Sequence, residues 1–217
     1  MTSLGYFNHT RRDLLALVPK GVQQVLEVGC GAGGTAQALK DLGVTTLIGI
    51  EPNAQAAEQA GRRFERVLVG PVEQATAALP SGEFDLILYG DVLEHLVAPW
   101  DILRAHRRLL KPHGAILLSV PNVRHWRLLL DLVFRGRWTY REGGGTLDRT
   151  HLRFFAKADL LAMVLDAGYR PVTEGHNEFG PLAKWADRLS LGLFRDFLVW
   201  QYFLLARVDA QPAGEGR

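Results

Sequence analysis

The chain has 217 residues, of which 47% are apolar and 22% are charged, so it can bury one substantial core but is short for two. A formal net charge of +2, with no dominant block of lysines or arginines, argues against nucleic acid as a partner. The single cysteine, Cys30, excludes an internal disulfide framework, and no apolar stretch is long enough to span a bilayer. We therefore expect a cytoplasmic protein.

Apolar runs and helix-forming stretches alternate along the chain. Strands are predicted at residues 24–28, 45–50, 66–69, 84–89, 115–120, 169–173 and 202–208. Helices are predicted at residues 10–18, 35–42, 54–64, 100–110, 124–134 and 158–166. Because such alternation produces a parallel sheet with helices on both faces, the pattern predicts an α/β fold. We expect one domain over residues 1–210 and a disordered polar tail at residues 211–217.

A glycine-rich turn follows the first predicted strand, in the run Val-Leu-Glu-Val-Gly-Cys-Gly-Ala-Gly-Gly at residues 25–34. Glycine accepts positive φ and lets the backbone approach a ligand closely. Gly29, Gly31 and Gly34 fit the dinucleotide fingerprint, whereas Gly29, Gly31 and Gly33 fit the tighter loop that holds S-adenosylmethionine. The spacing leaves both open. Cys30 is interpreted as a small residue tolerated in a crowded turn rather than as a nucleophile.

Two acidic residues near this turn suit a cofactor site. Glu51 ends the second predicted strand about twenty residues past the turn, where a doubly wound fold presents a carboxylate to a ribose diol. Glu27 lies inside an apolar strand, where a charge is costly unless it meets a cation or hydrogen-bond donors. The ammonium group of a bound methionine would be such a partner. The alternatives are a solvated charge for Glu51 and a strand-end acid bonded to nearby backbone for Glu27.

Four ordered motifs resemble those of class I S-adenosylmethionine-dependent methyltransferases over residues 6–121. They are Val-Leu-Glu-Val-Gly-Cys-Gly-Ala-Gly, Ile-Gly-Ile-Glu-Pro, Phe-Asp-Leu-Ile-Leu-Tyr-Gly-Asp-Val-Leu-Glu-His and Leu-Leu-Lys-Pro-His-Gly-Ala-Ile-Leu-Leu-Ser-Val-Pro. The resemblance implies a Rossmann-like, doubly wound sheet of seven strands whose last strand is antiparallel. It also implies S-adenosylmethionine as the cofactor and methyl transfer as the reaction.

The resemblance assigns cofactor contacts to the residues that match these motifs. They are Tyr6, Arg11, Glu27, Gly29, Cys30, Gly31, Gly33, Glu51, Pro52, Val72, Gly90 and Asp91. The glycines would pass under the methionine and ribose, Glu51 would hold the ribose hydroxyls, and Asp91 would border the methionyl end. The family often places an acid or amide against the adenine amino group after the third strand. This chain has Gly-Pro-Val-Glu at residues 70–73, so the backbone around Val72 or the Glu73 side chain would substitute.

Asp91, Glu94 and His95 have the spacing of one helical turn. The pattern resembles the acid and Glu-His cluster that binds a divalent ion in some ubiquinone-pathway O-methyltransferases, and its donors suit magnesium or zinc. The preferred alternative places His95 beside the cofactor and Glu94 at a helix cap, because many metal-free relatives carry the same pair. We therefore predict no metal.

Residues 121–155 are predicted to form a helical lid inserted after the fifth strand. The segment is similar to that of methyltransferases associated with glycosyltransferases of polysaccharide and natural-product pathways, and Trp126, Trp138, Tyr140 and His151 would then face a sugar ring. The apolar residues 128–130, 133 and 134 are predicted to pack the lid onto the core. His151 lies three residues after Asp148. It is either a base that the Asp148 carboxylate orients or a partner of Asp148 in a hydrogen bond that holds the loop. His95 is the next candidate base.

The predicted reaction is methylation of a hydroxyl group on a sugar, another small molecule or a glycan. N- or C-methylation of a small metabolite is the alternative, followed by a nicotinamide oxidoreductase and a non-catalytic binding module. The predicted partner is the small-molecule or glycan acceptor, with no nucleic acid and no membrane span. The sequence leaves the oligomeric state open.

Overall fold

The structure is a computed structural model that describes residues 12–177 and 180–209. Its strands are β1 (Gln24–Val28), β2 (Thr46–Glu51), β3 (Arg66–Val69), β4 (Phe84–Gly90), β5 (Leu110–Pro121), β6 (Tyr169–His176) and β7 (Gln201–Val208). They form one sheet in the order β3-β2-β1-β4-β5-β7-β6, and β7 is antiparallel to both neighbours. The predicted seven-stranded α/β fold with an antiparallel last strand is confirmed.

The described helices cover both faces of this sheet. They are α1 (Arg12–Leu15), α2 (Ala36–Asp41), α3 (Ala54–Ala60), α4 (Val72–Ala75), α5 (Pro99–His106), α6 (Trp126–Arg135), α7 (Lys157–Asp166), α8 (Pro181–Leu189) and α9 (Arg195–Leu198). Successive side chains of a strand point to opposite faces. Accordingly, Leu86 of β4 packs with α1, α2 and α3, whereas Ile87 packs with α5 and α7. The core therefore has two apolar layers.

Several predicted boundaries differ from the structure. β5 begins at Leu110 rather than at residue 115, because Leu110 pairs with Phe84 before a register shift. α3 and α5 end earlier than predicted, and α5 continues as a 3₁₀ helix at Arg107–Leu109. A short helix, α4, stands where a loop was predicted.

The prediction that the apolar residues of α6 pack onto the core is wrong. α6 begins at Trp126, where the His125 side chain accepts a hydrogen bond from the Arg127 amide, and ends at Gly136 in the left-handed conformation. None of its ten residues is buried. Leu128 and Leu129 are half-buried, and its other apolar side chains are exposed in the described structure.

The carboxyl edge of the sheet collects the segments that carry the candidate site. β1, β2, β4 and β5 run parallel, so the loops that follow them emerge at one edge. β6 runs parallel to β5, since both are antiparallel to β7. The segment after β5 and the segment between β6 and β7 therefore both start at this edge. In residues 12–177 and 180–209, no helix has the length and apolar character needed to cross a membrane.

Candidate active site

The turn after β1 has a backbone that requires glycine. Gly29, Gly31 and Gly33 have φ of 69°, 54° and 80°, which L side chains rarely adopt. A Cβ on Gly29 would lie 2.6 Å from Cγ2 of Val92. The turn is fixed to β2 because the Gly29 and Cys30 amides donate to the Ile50 carbonyl at 2.8 and 3.2 Å. Its three glycines leave these positions at the carboxyl edge of the sheet without side chains.

Glu51 joins this turn to the start of α3. Its carboxylate is buried and accepts from the amides of Gly31 and Asn53, each at 2.9 Å. Asn53 in turn caps α3 by accepting from the Ala56 amide. A carboxylate has about four acceptor positions, so these two bonds leave room for hydroxyl donors. The structure thus shows Glu51 to be a buried, hydrogen-bonded carboxylate rather than a solvated charge.

Glu27 is buried in β1 and accepts from Oγ1 of Thr35 at 2.5 Å. Thr35 was not predicted as a site residue. It stands at the N-cap of α2, so this bond holds the helix against the strand that carries the carboxylate. The predicted contact with a ligand ammonium would give the Glu27 carboxylate a cationic partner in addition to the Thr35 hydroxyl.

Cys30 lies in the turn but its sulfur points away from the ligand surface. The side chain is buried, and a Cβ on Gly49 of β2 would lie 2.6 Å from Sγ. Burial raises the pKa of the thiol, and the nearby Glu27 and Glu51 raise it further. A neutral, buried thiol is a poor nucleophile, which supports the small-residue interpretation.

Asp91, after Gly90 at the end of β4, is held in a strained backbone conformation with φ of 54°. Its carboxylate accepts from Ser119 Oγ at 2.6 Å and from Gln201 Nε2 at 2.7 Å, and its amide donates to Ser119 Oγ at 3.1 Å. Sequence reasoning missed both partners. Ser119 could have been noticed in the sequence, because it is a lone hydroxyl in the apolar strand β5. Gln201 lies 110 residues from Asp91 and nothing in its local sequence indicates the contact.

The predicted grouping of Asp91 with Glu94 and His95 on one helical turn is wrong. The turn is a 3₁₀ helix at Leu93–His95, and the Asp91 carboxylate faces Ser119 and Gln201 instead. The third member of the cluster is His151. One donor atom from each of Glu94, His95 and His151 lies within 4.8 Å of the other two.

The two histidines of this cluster present the same tautomer. Their rings meet edge to face at 4.7 Å. Nδ1 of His95 lies 3.2 Å from the Thr150 carbonyl, and Nδ1 of His151 lies 3.0 Å from the Thr146 carbonyl. Because a carbonyl oxygen only accepts, each Nδ1 carries the proton and each Nε2 keeps its lone pair. Burial and the neighbouring His151 lower the pKa of His95, which favours its neutral form.

Asp148 does not orient His151 as one of our two interpretations required. Its carboxylate accepts from the Gly144 amide at 2.6 Å and from the Thr150 amide and hydroxyl at 2.9 and 2.6 Å. Burial raises the pKa of Asp148, but these hydrogen bonds outweigh that effect and lower the pKa below its ordinary value. The loop that carries His151 is thus built around Asp148, while the Thr146 carbonyl orients the imidazole.

The segment that carries His151 is fastened to the loop after β4. The amides of Leu152 and Arg153 donate to the Glu94 carbonyl at 2.7 and 3.0 Å. This places the two histidines beside the end of β4, at the same edge as the glycine turn. The cluster offers two imidazoles and a carboxylate, a donor set that can accept a proton or hold a divalent ion.

The remaining predicted residues lie around the same edge. Pro52 is exposed after β2, and Val72 is buried at the start of α4 with its carbonyl accepting from the Thr76 hydroxyl. Tyr6 and Arg11 lie outside the described residues, as does the predicted tail.

Comparison with known proteins decides between the two interpretations of the glycine turn. A family model described as a methyltransferase domain matches residues 5–174. The chain is a class I S-adenosylmethionine-dependent methyltransferase. The cofactor of this methyltransferase is S-adenosylmethionine. The acceptor positions that Glu51 keeps beside the glycine turn have the chemistry that a ribose diol needs.

Curated relatives and solved structures agree with this assignment. The ubiquinone biosynthesis O-methyltransferase of Thiobacillus denitrificans is 31% identical over 173 residues, spanning 76% of this methyltransferase and 72% of that protein. The protein of the same name from Cereibacter sphaeroides ATCC 17023 is 31% identical over 188 residues, spanning 82% and 72%. An Archaeoglobus fulgidus SAM-dependent methyltransferase shares the fold with a TM-score of 0.67, at 19% identity over 87% of each chain.

Glu51→Ala should weaken S-adenosylhomocysteine binding by about 1.5–3 kcal/mol, because the ribose would lose charge-assisted hydrogen bonds. Glu51→Gln keeps an acceptor for one of the two amides and separates this loss from damage to the turn. Glu58→Ala, on the exposed side of α3, is the matched control and should bind normally. Calorimetric titration measures all three. Unchanged affinity in Glu51→Ala would show that the carboxylate serves only the turn.

Proposed function

We propose that this methyltransferase methylates a hydroxyl oxygen and that His151, with His95 beside it, takes the hydroxyl proton. The observation that carries the proposal is the shared tautomer of the two histidines. Both Nδ1 atoms are engaged by backbone carbonyls, so both Nε2 lone pairs remain as proton acceptors at the carboxyl edge of the sheet. An alcohol is a weak nucleophile at neutral pH, and a positioned imidazole is the group that such a reaction needs.

The protein's part in the reaction is to position the acceptor and to move one proton. When bound, S-adenosylmethionine would supply an activated methyl group, whose bond to sulfur breaks as the acceptor oxygen takes the methyl carbon. His151 would accept the hydroxyl proton at Nε2 in the same step. The positive charge that develops on the imidazole is stabilised through Nδ1–H by the Thr146 carbonyl. His95 stays neutral more readily because burial lowers its pKa, so it adds no repelling charge.

A sugar or glycan hydroxyl is the first candidate acceptor. Its support is the likeness of residues 121–155 to those of glycosyltransferase-associated methyltransferases, together with an aromatic cluster in that segment. Trp138 and Phe154 meet edge to face at 5.4 Å, and Tyr140 lies 6.3 Å from Phe154. Aromatic faces with polar tips suit the apolar face and hydroxyl rim of a sugar ring.

An aromatic hydroxyl is the second candidate acceptor, because the two relatives reported above are named ubiquinone biosynthesis O-methyltransferases. Their names also favour oxygen over nitrogen or carbon as the acceptor atom. The two candidates differ in their need for a base. A phenol ionises far more readily than an alcohol, so its methylation should depend less on His151.

The test is methyl transfer from S-adenosylmethionine with a deuterated methyl group to two acceptor panels, one of glycosides and one of catechols. Mass spectrometry reports the product and the methylated atom. Oxygen methylation of a glycoside that falls sharply in His151→Ala supports the first candidate. Catechol methylation with a small effect of the same substitution supports the second. A third panel of primary amines covers nitrogen acceptors, and methylation at nitrogen or carbon without methylation at oxygen would overturn the proposal.

A further inference from the structure

The helix α6 exposes an apolar stripe at the carboxyl edge of the sheet. Trp126, Leu130 and Phe134 repeat every four residues and share one side of the helix with Val133. Their exposed fractions are 41%, 43%, 78% and 70%, respectively. An apolar stripe normally faces a core, and this one has no cover in the described structure.

A second exposed apolar segment lies in α8 and the turn that follows it. Trp185 and Leu189 of α8 are 66% and 65% exposed, and Leu191, just after α8, is 95% exposed. The helix α9 follows α8 in the chain and contacts the residue just before α6. Arg124, just before α6, pairs with Asp196 at 3.4 Å and lies 4.7 Å over the Phe197 ring. Both apolar segments thus border the edge at which the candidate active site opens.

The segment that carries α6 has an excess of positive charge. Residues 121–155 contain seven arginines and three acidic residues, a formal charge of +4 in a chain whose total is +2. Arg127 is exposed on α6, with its guanidinium 5.3 Å over the Trp126 ring. Arg137, just past the helix, is also exposed. The remaining residues carry a net charge of −2, so the excess of positive charge lies in residues 121–155.

We propose that this arginine-flanked apolar surface binds the face of an anionic lipid bilayer. A helix with tryptophan, leucine and phenylalanine on one side and arginines beside them has the composition of an interfacial helix. Tryptophan favours the headgroup level, and each arginine near an anionic surface adds attraction. A second copy of the chain fits less well, because a two-fold contact would bring two surfaces of charge +4 together.

The consequence for function is that the mouth of the candidate active site faces the bilayer. An acceptor carried at the membrane surface would reach the histidines without leaving that surface. The surface binding itself does not depend on the proposed hydroxyl chemistry and is measured without turnover.

The experiment is cosedimentation of the full chain with two kinds of vesicle. One contains phosphatidylcholine alone, and the other contains equal parts of phosphatidylcholine and phosphatidylglycerol. The chain should sediment with the second kind, and binding should fall as salt rises to about 1 M, where the Debye length is about 3 Å. Val133→Ser and Phe134→Ser should each weaken binding about tenfold, since an inserted apolar side chain is lost. Arg137→Glu should weaken it as well.

Two variants at the opposite edge of the sheet serve as controls. Leu165→Ser replaces a 55% exposed side chain near the end of α7, and Arg62→Glu reverses an exposed charge after α3. Both should bind vesicles as the parent does. Equal melting temperatures and an equal thermal shift with S-adenosylhomocysteine establish that all variants are folded. Absence of vesicle binding, or binding unchanged in Phe134→Ser, would overturn the proposal. So would a dimer in sedimentation equilibrium that Phe134→Ser dissociates while vesicle binding persists.

Discussion

His151→Ala should lower the turnover of a hydroxyl acceptor about 10²–10⁴-fold, the usual effect of removing a positioned base. Cofactor affinity should be nearly unchanged, because His151 lies in the segment after β5 rather than in the glycine turn. The imidazole also bonds the Thr146 carbonyl, so alanine removes one loop contact. A purely structural histidine would instead give a lower melting temperature, faster proteolysis between residues 135 and 155, and a modest kinetic defect.

Two further variants separate these outcomes. His151→Asn places an amide NH₂ at the position of Nδ1, so it can still donate to the Thr146 carbonyl but cannot act as the base. It should retain stability and remain inactive. Asp148→Asn disturbs the carboxylate that organises Gly144 and Thr150, so it should loosen the loop. Near-normal turnover in His151→Ala would leave His95 as the base. Because the pKa of His95 is lowered from 6.5, its neutral form persists in more acid solution, and the acid limb of kcat would then lie below pH 6.5.

A chelator distinguishes proton transfer from metal chemistry at the same cluster. If the histidines act as bases, activity should survive prolonged treatment with EDTA. Loss of activity that magnesium or zinc restores would show that the reaction needs an ion, and our prediction of no metal would be wrong. Glu94, His95 and His151 would then be the candidate ligands.

The fold was predictable because its signals are local. A buried strand such as β1 is a continuous apolar run, and the turn after it needs glycine at positions of positive φ. Both features are visible within ten residues. The boundaries were less predictable, since the start of β5 depends on the pairing of Leu110 with Phe84.

The candidate site was predictable only where its residues follow strands of known order. Glu51 is the last residue of β2 and Asp91 directly follows β4, so the topology brings them to one edge. The contacts that hold them come from distant parts of the chain, as with Gln201 on Asp91. The failure at α6 has a different cause. Its periodic apolar residues predict a buried face, but periodicity does not say whether protein or another medium covers that face.

The core also carries a buried histidine that sequence reasoning did not single out. His106 of α5 is fully buried, and its Nδ1 and Nε2 lie 2.6 Å from the Tyr89 hydroxyl and 2.7 Å from the Thr76 hydroxyl. Thr76 donates its proton to the Val72 carbonyl, so it accepts from Nε2–H, and Tyr89 donates to Nδ1. This chain of bonds joins β4, α5 and α4. Burial, with a contribution from Arg108, lowers the pKa of His106 to about 4.

This buried histidine should make the protein less stable in mild acid. In the unfolded chain a histidine binds a proton near pH 6.5, whereas folded His106 stays neutral down to about pH 4. Between these values the unfolded state binds more protons, so stability is fully present above pH 6.5 and is lost as the pH falls. The loss from His106 reaches about 3 kcal/mol at pH 4. His125, whose pKa burial and Arg127 also lower to about 4, acts in the same direction.

Urea unfolding at a series of pH values between 7 and 4 measures this effect. His106→Gln can keep one donor and one acceptor and does not titrate in this range, so its unfolding free energy should be lower at pH 7 and fall less steeply with acid. His113→Gln, at an exposed histidine, is the matched control and should leave the slope as in the parent. A slope in His106→Gln equal to that of the parent would mean that His106 is not neutral in the folded core. The Tyr89–His106–Thr76 chain would then require a charged imidazole donating to both hydroxyls.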